Sequence, residues 1–152
     1  MKKVAILMGS ETDRQIMEAA LPYLDHFQVP HDVQVISAHR NPDEVADFAR
    51  SARDRGYGVL IAGAGMAAHL AGALKAHTIL PVIGVPLPGG LSDGMDALLS
   101  TVQMPKGVPV ATVSVGKAGA INAAVLAAEI LALADAALEE RLEAYKARGA
   151  KL

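Results

Sequence analysis

The sequence predicts a three-layer α/β/α sandwich around a central parallel sheet. Short aliphatic runs alternate with helix-like stretches, and the alternation repeats five times. The intervening segments are long enough for the helical crossovers that parallel strands require. The first run, Val4-Ala5-Ile6-Leu7-Met8, is apolar at every position, as a strand covered on both faces is.

The elements follow in order. Val4 to Met8 is the first strand, and Gly9-Ser10-Glu11-Thr12-Asp13 turns into a helix over about Asp13 to Phe27. Ile16, Ala19, Ala20 and Leu24 make its apolar stripe, and Pro22 should bend or interrupt it. A second strand spans about Asp32 to Ile36. Asn41 is then placed to cap a helix that starts at Pro42, with Val45, Phe48, Ala49 and Ala52 on its inner face. Gly56-Tyr57-Gly58 ends that helix, Val59 to Ala62 is the third strand, and Gly63-Ala64-Gly65 turns toward a short Ala-rich helix. Pro81 to Val85 is the fourth strand, Pro86 to Gly94 a Pro- and Gly-rich loop, and Met95 to Thr101 a helix. Val108 to Val113 is the fifth strand, whose Pro109 suits an edge or a strand start. Gly116-Lys117 opens the long final helix. The whole is expected to be one flavodoxin-like or Rossmann-like domain spanning 1–152.

From Ala118 to about Ala134 the chain is almost entirely apolar. A surface helix needs only one apolar face, so this one reads as buried all round and as part of a subunit interface. Beyond it the charged tail should face solvent, with Glu143 and Lys146 three apart and able to pair. Leu138, Leu142 and Tyr145 keep a thin apolar stripe there.

Composition narrows the function classes. The chain has 152 residues, 52% of them hydrophobic, and a net charge of −2, which gives no reason to expect nucleic acid or a membrane as partner. Cysteine is absent, which excludes a disulfide, a thiolate metal site and a Cys nucleophile. Met1-Lys2-Lys3 and the following apolar run are too short for a signal core or a membrane span, so a cytoplasmic location is expected.

The chemistry gathers at strand ends. Ser37-Ala38-His39-Arg40 lies between the second strand and its helix, the sheet edge where open α/β proteins bind ligands. His39 offers a proton carrier for neutral pH, and Arg40 a planar cation that can grip phosphate through two hydrogen bonds. Three glycine-bearing turns, at Gly9-Ser10, Gly63-Ala64-Gly65 and Gly116-Lys117, should converge on that edge and present backbone amides to an anion. Ser10 and Thr12 add hydroxyls, and Asp13 suits ribose hydroxyls or helix capping. None of these turns is diagnostic alone. Gly9-Ser10 lacks the third glycine of a dinucleotide fingerprint, and no Gly-Lys-Ser/Thr follows it. His69 fits either the site or a helix start, while His26, His31 and His77 read as surface or loop residues. A metal site is not expected. Read from the residues alone, the chain takes a small anionic ligand beside a histidine placed for proton transfer. The reaction itself stays open, including a non-catalytic phospho-ligand-binding role.

The ordered motifs resemble those of the PurE family of purine biosynthesis. They are Met8-Gly9-Ser10 with Asp13, Ser37 to Arg40, Ala62 to Gly65 through Ala67-Ala68-His69-Leu70, Leu80 to Pro86, and Val102 to Pro105 through Gly107 to Thr112. Gly116-Lys117-Ala118 and Asn122-Ala123 continue the likeness, which covers Val4 to about Leu133. The family has a mutase branch (class I type), which moves a carboxylate from nitrogen to carbon, and a branch that carboxylates aminoimidazole ribonucleotide with free carbon dioxide. The form from Gly63 to Leu70 resembles the mutase branch. Thr12, Asn41, Met66 and Ala71 stand where that branch commonly has serine, threonine, glycine and proline.

The resemblance implies conversion of N5-carboxyaminoimidazole ribonucleotide to 4-carboxyaminoimidazole ribonucleotide on the route to IMP. It implies His39 as acid and base, and Ser10, Asp13 and Arg40 as holders of the ribose phosphate. It implies a substrate or carbon dioxide pocket drawn from Gly9, Thr12, Ser37, Ala38, Gly63, Ala64, Gly65, Met66, Ala67, His69 and Leu70. No metal, ATP or organic cofactor is implied. The expected assembly is a homo-oligomer, an octamer as is typical of the family, with the C-terminal helix contributing.

Overall fold

A computed structural model describes all 152 residues. Its elements are β1 (Lys3–Met8), α1 (Arg14–Met17), α2 (Leu21–His26), β2 (His31–Val35), α3 (Pro42–Ser51), β3 (Tyr57–Ala64), α4 (Leu70–Lys75), β4 (Val82–Pro86), α5 (Met95–Val102), β5 (Ala111–Thr112), α6 (Lys117–Ala132) and α7 (Ala136–Ala147). Every strand pair is parallel, in the order β2-β1-β3-β4-β5. That is the flavodoxin-like order, in which strand succession reverses between β1 and β3 and opens a crevice beyond their C-terminal ends.

The period-two alternation of strands assigns the two outer layers. Val4, Ile6, Met8, Val59 and Ile61 face one core with Met17, Leu24 and the alanines of α6. Ala5, Leu7, Leu60 and Ala62 face the other, with Val45, Phe48, Leu70 and Leu74 from α3 and α4. Burying a Leu, Ile or Met side chain contributes about 1.5–3 kcal/mol, so the two aliphatic cores hold the layers without tryptophan.

The first long helix is interrupted, as Pro22 predicts. A 3-10 turn at Glu18–Ala20 separates α1 from α2, and Pro22 occupies the second position of α2. Without an N–H it cannot donate to the carbonyl four residues earlier, and the early helix position tolerates that loss. Asn41 does occupy the N-cap position of α3, but its side chain makes no capping hydrogen bond.

Two of the expected strands need correction. The third strand extends to Tyr57–Ala64, so Gly58 and Gly63 lie inside it rather than in turns. Both are close-packing positions: a Cβ at Gly58 would come within 2.8 Å of Lys2 Cβ, and one at Gly63 would overlap Met17 Sδ. The fifth strand is only Ala111–Thr112, pairing with Ile83 and Gly84. Pro109 has no N–H to give to a ladder, and Val108 to Val110 lie outside the strand.

Within one chain α6 is covered on one face only. Gly119, Ala120, Ala123, Ala124, Ala127 and Ala128 are buried against the sheet side, while Ile121, Val125, Leu126 and Ile130 are half-buried and Leu133 is exposed. Small residues allow this close approach, and a Cβ at Gly119 would overlap the Ser114 carbonyl oxygen. The second helix, α7, packs on through Leu138, Leu142 and Tyr145, with Tyr145 edge-on to Phe27 at 5.1 Å between ring centroids. Lys146 pairs with Glu129 of α6 at 3.1 Å, not with Glu143. No helix is long and apolar enough to cross a membrane.

Candidate active site

Four strand ends build one cavity of about 760 Å³. After β1 come Gly9, Ser10, Thr12 and Asp13; after β2, Ser37 to Arg40; after β3, Ala64 to Ala67, His69 and Leu70; after β4, Pro88 and Gly89. The β1–β3 reversal therefore gathers the predicted residues other than Gly63 and Gly116-Lys117.

Each wall is shaped locally. Ser10 accepts a hydrogen bond from the Thr12 amide at 3.3 Å and caps the short turn Glu11–Asp13. A Cβ on Gly9 would meet no protein atom within 4 Å, so this position leaves open space for a ligand to approach backbone. The Ser37 hydroxyl accepts from the Arg40 amide at 3.3 Å, and the Ser37 carbonyl from the Asn41 amide at 2.8 Å. These bonds tighten the turn that exposes His39 and Arg40. Arg40 joins none of the chain's ion pairs and remains available to an anion.

Asp13 is half-buried, and burial pushes its carboxyl above the ordinary value against the opposing backbone contact from Ser10. A carboxyl so placed gains when it accepts hydrogen bonds from hydroxyls, as those of a ribose would provide. His39 Nε2 lies 2.6 Å from His69 Nδ1, with the rings edge-on and their centroids 4.7 Å apart. His69 thus lines the same cavity as His39, and it also occupies the N-cap position of α4.

Met66 sits at the rim with φ of 50° and is 67% exposed. The left-handed region is where a glycine is at ease, and a side chain there stores strain of about 1–2 kcal/mol. The Ser100 hydroxyl bridges to the Met66 carbonyl at 3.4 Å, tying this rim to α5.

Two sequence expectations are revised. Gly63 does not line the cavity, because it is buried in β3 against Met17. Gly116-Lys117 does not line it either; Gly116 donates its amide to the Pro86 carbonyl at 2.9 Å and props the loop after β4. Sequence reasoning missed Pro88 and Gly89 as wall residues, although their Pro- and Gly-rich loop was visible. That loop is pinned by Asp93, which accepts from the Gly89 amide at 3.1 Å, and by Asp96, which accepts from the Leu91 amide at 3.0 Å. Of the other histidines, His77 is exposed, whereas His31 opens β2 and His26 packs edge-on against Phe27. No three His, Cys, Asp or Glu side chains are grouped to hold a metal ion.

A family model described as AIR carboxylase matches residues 3–151. The chain is 51% identical over 144 residues to an N5-carboxyaminoimidazole ribonucleotide mutase of Escherichia coli (strain K12), covering 95% of this chain and 85% of that one. It is 54% identical over 140 residues to the protein of that name from Bacillus subtilis (strain 168), covering 92% and 86%. The crystal structure of Treponema denticola PurE superposes with a TM-score of 0.86 at 29% identity, covering 97% of this chain and 90% of that one.

Proposed function

The chain belongs to the AIR carboxylase (PurE) family, and from that premise we propose that it is the mutase that converts N5-carboxyaminoimidazole ribonucleotide to 4-carboxyaminoimidazole ribonucleotide in purine biosynthesis. Relatives at about half identity over nearly the whole chain carry that activity in their names. The observation that best supports the chemistry is the single cavity into which His39, Arg40, Ser10, Asp13 and the segment 64–70 converge.

The reaction balances within the substrate. The carbamate nitrogen takes a proton from His39, the nitrogen–carbon bond breaks, and carbon dioxide leaves. The electron-rich imidazole carbon C4 then attacks the trapped carbon dioxide. His39 removes the C4 proton, which restores aromaticity and returns the histidine to its starting form. The proton and the carboxylate both return to the product, so no electron or phosphoryl donor enters.

Arg40 and Ser10 hold the phosphate and Asp13 the ribose, with Gly9, Thr12, Ser37 and Ala38 lining that end. The Gly65 and Ala67 region, with Met66 and Leu70 beside it, confines carbon dioxide next to the ring. Confinement favours internal transfer over capture of dissolved carbon dioxide.

The protein acts as a homo-oligomer, an octamer in keeping with the family. Met95, Leu99 and Val102 recur at helical spacing on α5 and are exposed in the single chain, and the half-buried side of α6 adds apolar surface. Sedimentation velocity tests the assembly.

The decisive experiment supplies purified protein with each substrate, with and without ¹³C-bicarbonate. Conversion of the N5-carboxylated ribonucleotide with little label in the product is the expected result. Product formation only from the uncarboxylated ribonucleotide and bicarbonate would reject the mutase reading.

A further inference from the structure

The contact between His39 and His69 says more than that two histidines share a cavity. They stand 30 positions apart, one in the turn after β2 and one just before α4. At 2.6 Å the gap between Nε2 and Nδ1 holds one hydrogen. Two neutral arrangements exist: His39 Nε2–H donates to His69, or His69 Nδ1–H donates to His39.

Only one of them serves both halves of the reaction. An acid-form His39 carries hydrogens on both ring nitrogens, so its Nε2–H must donate and His69 Nδ1 must accept. When Nδ1–H passes to the carbamate nitrogen, His39 becomes neutral and the bond to His69 stays intact. The vacant Nδ1 then collects the C4 hydrogen, and the starting form returns. Transfer through Nε2 would instead break the histidine–histidine bond twice in every turnover.

We infer that His69 is a positioning residue: its Nδ1 accepts the Nε2 hydrogen of His39, which fixes the tautomer and leaves His39 Nδ1 to move the proton. The inference rests on the mutase reading above. A base oriented by a third group in this way is a recurrent arrangement in proton-transfer sites.

The local structure permits a clean test. His69 is exposed, occupies the N-cap position of α4 with φ of −86°, and makes no side-chain cap bond. Its replacement therefore removes no helix contact, and Asn is itself a favoured residue there. We expect His69→Ala to lower kcat roughly 10- to 100-fold with KM within about twofold, and to shift the pH profile of kcat. His69→Asn, whose amide oxygen can accept the same hydrogen, recovers a substantial part of that loss. In ¹⁵N-labelled protein neutral His39 is expected as the Nε2–H tautomer, and as a mixture in His69→Ala.

An unchanged kcat in His69→Ala overturns the inference. So does a raised KM at unchanged kcat, which would place His69 on the substrate, and so does an equal loss in the Ala and Asn variants. The wild type run in the same assay separates the two readings. If it fails to convert the substrate, the mutase reading fails, while the tautomer measurement, which needs no turnover, still decides the histidine pairing.

Discussion

Tyr57 donates its phenolic hydrogen to Asp32 at 2.7 Å, joining the starts of β3 and β2 at the sheet end away from the cavity. Lys3, on β1 between them, donates to the same Asp32 oxygen at 2.8 Å. The Lys3 bond first, then the Tyr57 bond, holds the Asp32 carboxyl below its ordinary value. Burial first, then the bond to Asp32, raises the Tyr57 phenol.

A lowered carboxyl stabilises the fold above its unfolded value of about 4, and that stability is lost as pH falls through the folded value. The Tyr57 contribution has the opposite sign. It is present below about pH 10 and disappears as pH rises through the elevated folded value. Asp32→Asn should lower Tm by roughly 1–3 °C at pH 7, because solvent screens the nearly half-exposed carboxyl, and the difference should shrink on acidification below about pH 4. Thermal melts across pH check this; a difference that persists undiminished at low pH would assign the effect to packing rather than charge.

Asp13 carries the reverse sign. Its folded value is raised by burial, so its favourable contribution is present below the unfolded value of about 4 and is lost as pH rises through the folded value. At neutral pH the ionised group therefore weighs against folding. Asp13→Asn should raise Tm at pH 7 and give less gain near pH 3, while raising KM for the ribonucleotide. Calorimetry paired with kinetics measures both, and a fall in Tm at pH 7 would contradict the burial argument.

His39→Asn should fold normally, since His39 is exposed on a turn held by Ser37, and should lose at least about 100-fold in kcat. Steady-state kinetics with a circular dichroism control tests it. Near-normal turnover would end the acid–base assignment.

Arg40→Ala removes the only permanently charged cation at the cavity wall. A charge-assisted phosphate bond accounts for about 1.5–3 kcal/mol, so KM should rise on the order of 10- to 100-fold with a smaller change in kcat. Unchanged affinity in a calorimetric titration would remove Arg40 from the phosphate site.

Gly63→Ala should destabilise by about 1–3 kcal/mol, because the added methyl overlaps the fully buried Met17. Gly119→Ala should be more damaging, since the obstacle is the Ser114 backbone carbonyl. Gly65→Ala is the control: its nearest neighbour would be Leu87 at an ordinary 3.7 Å, so stability should change by about 0.5 kcal/mol or less. Urea denaturation ranks the three, and equal effects would refute the packing explanation.

Much of this was legible in the chain itself. Aliphatic runs and helical crossovers identify the parallel sheet because both reflect local periodicity and length. Ser37 to Arg40 could be placed at the working edge because strand direction puts every strand-to-helix turn there. Two of the errors share one cause. Gly63 looks like a turn residue in sequence, but the side chain it accommodates, Met17, arrives from a helix on another part of the chain. Glu143 and Lys146 have pairing distance along one helix, yet Lys146 reaches Glu129 because α7 lies along α6.

The sequence by itself determined the alternating layers, the aliphatic cores and the residue types available for phosphate and proton chemistry, because periodicity and side-chain chemistry are local. Only the tertiary structure decided that Pro88 and Gly89 complete the wall, that Gly116 supports it from behind, and that His69 meets His39. Those relationships depend on strand order β2-β1-β3-β4-β5, which carries segments 30 residues apart to one crevice. That order is settled by packing two helical layers onto both faces of the sheet, not by any short stretch of chain.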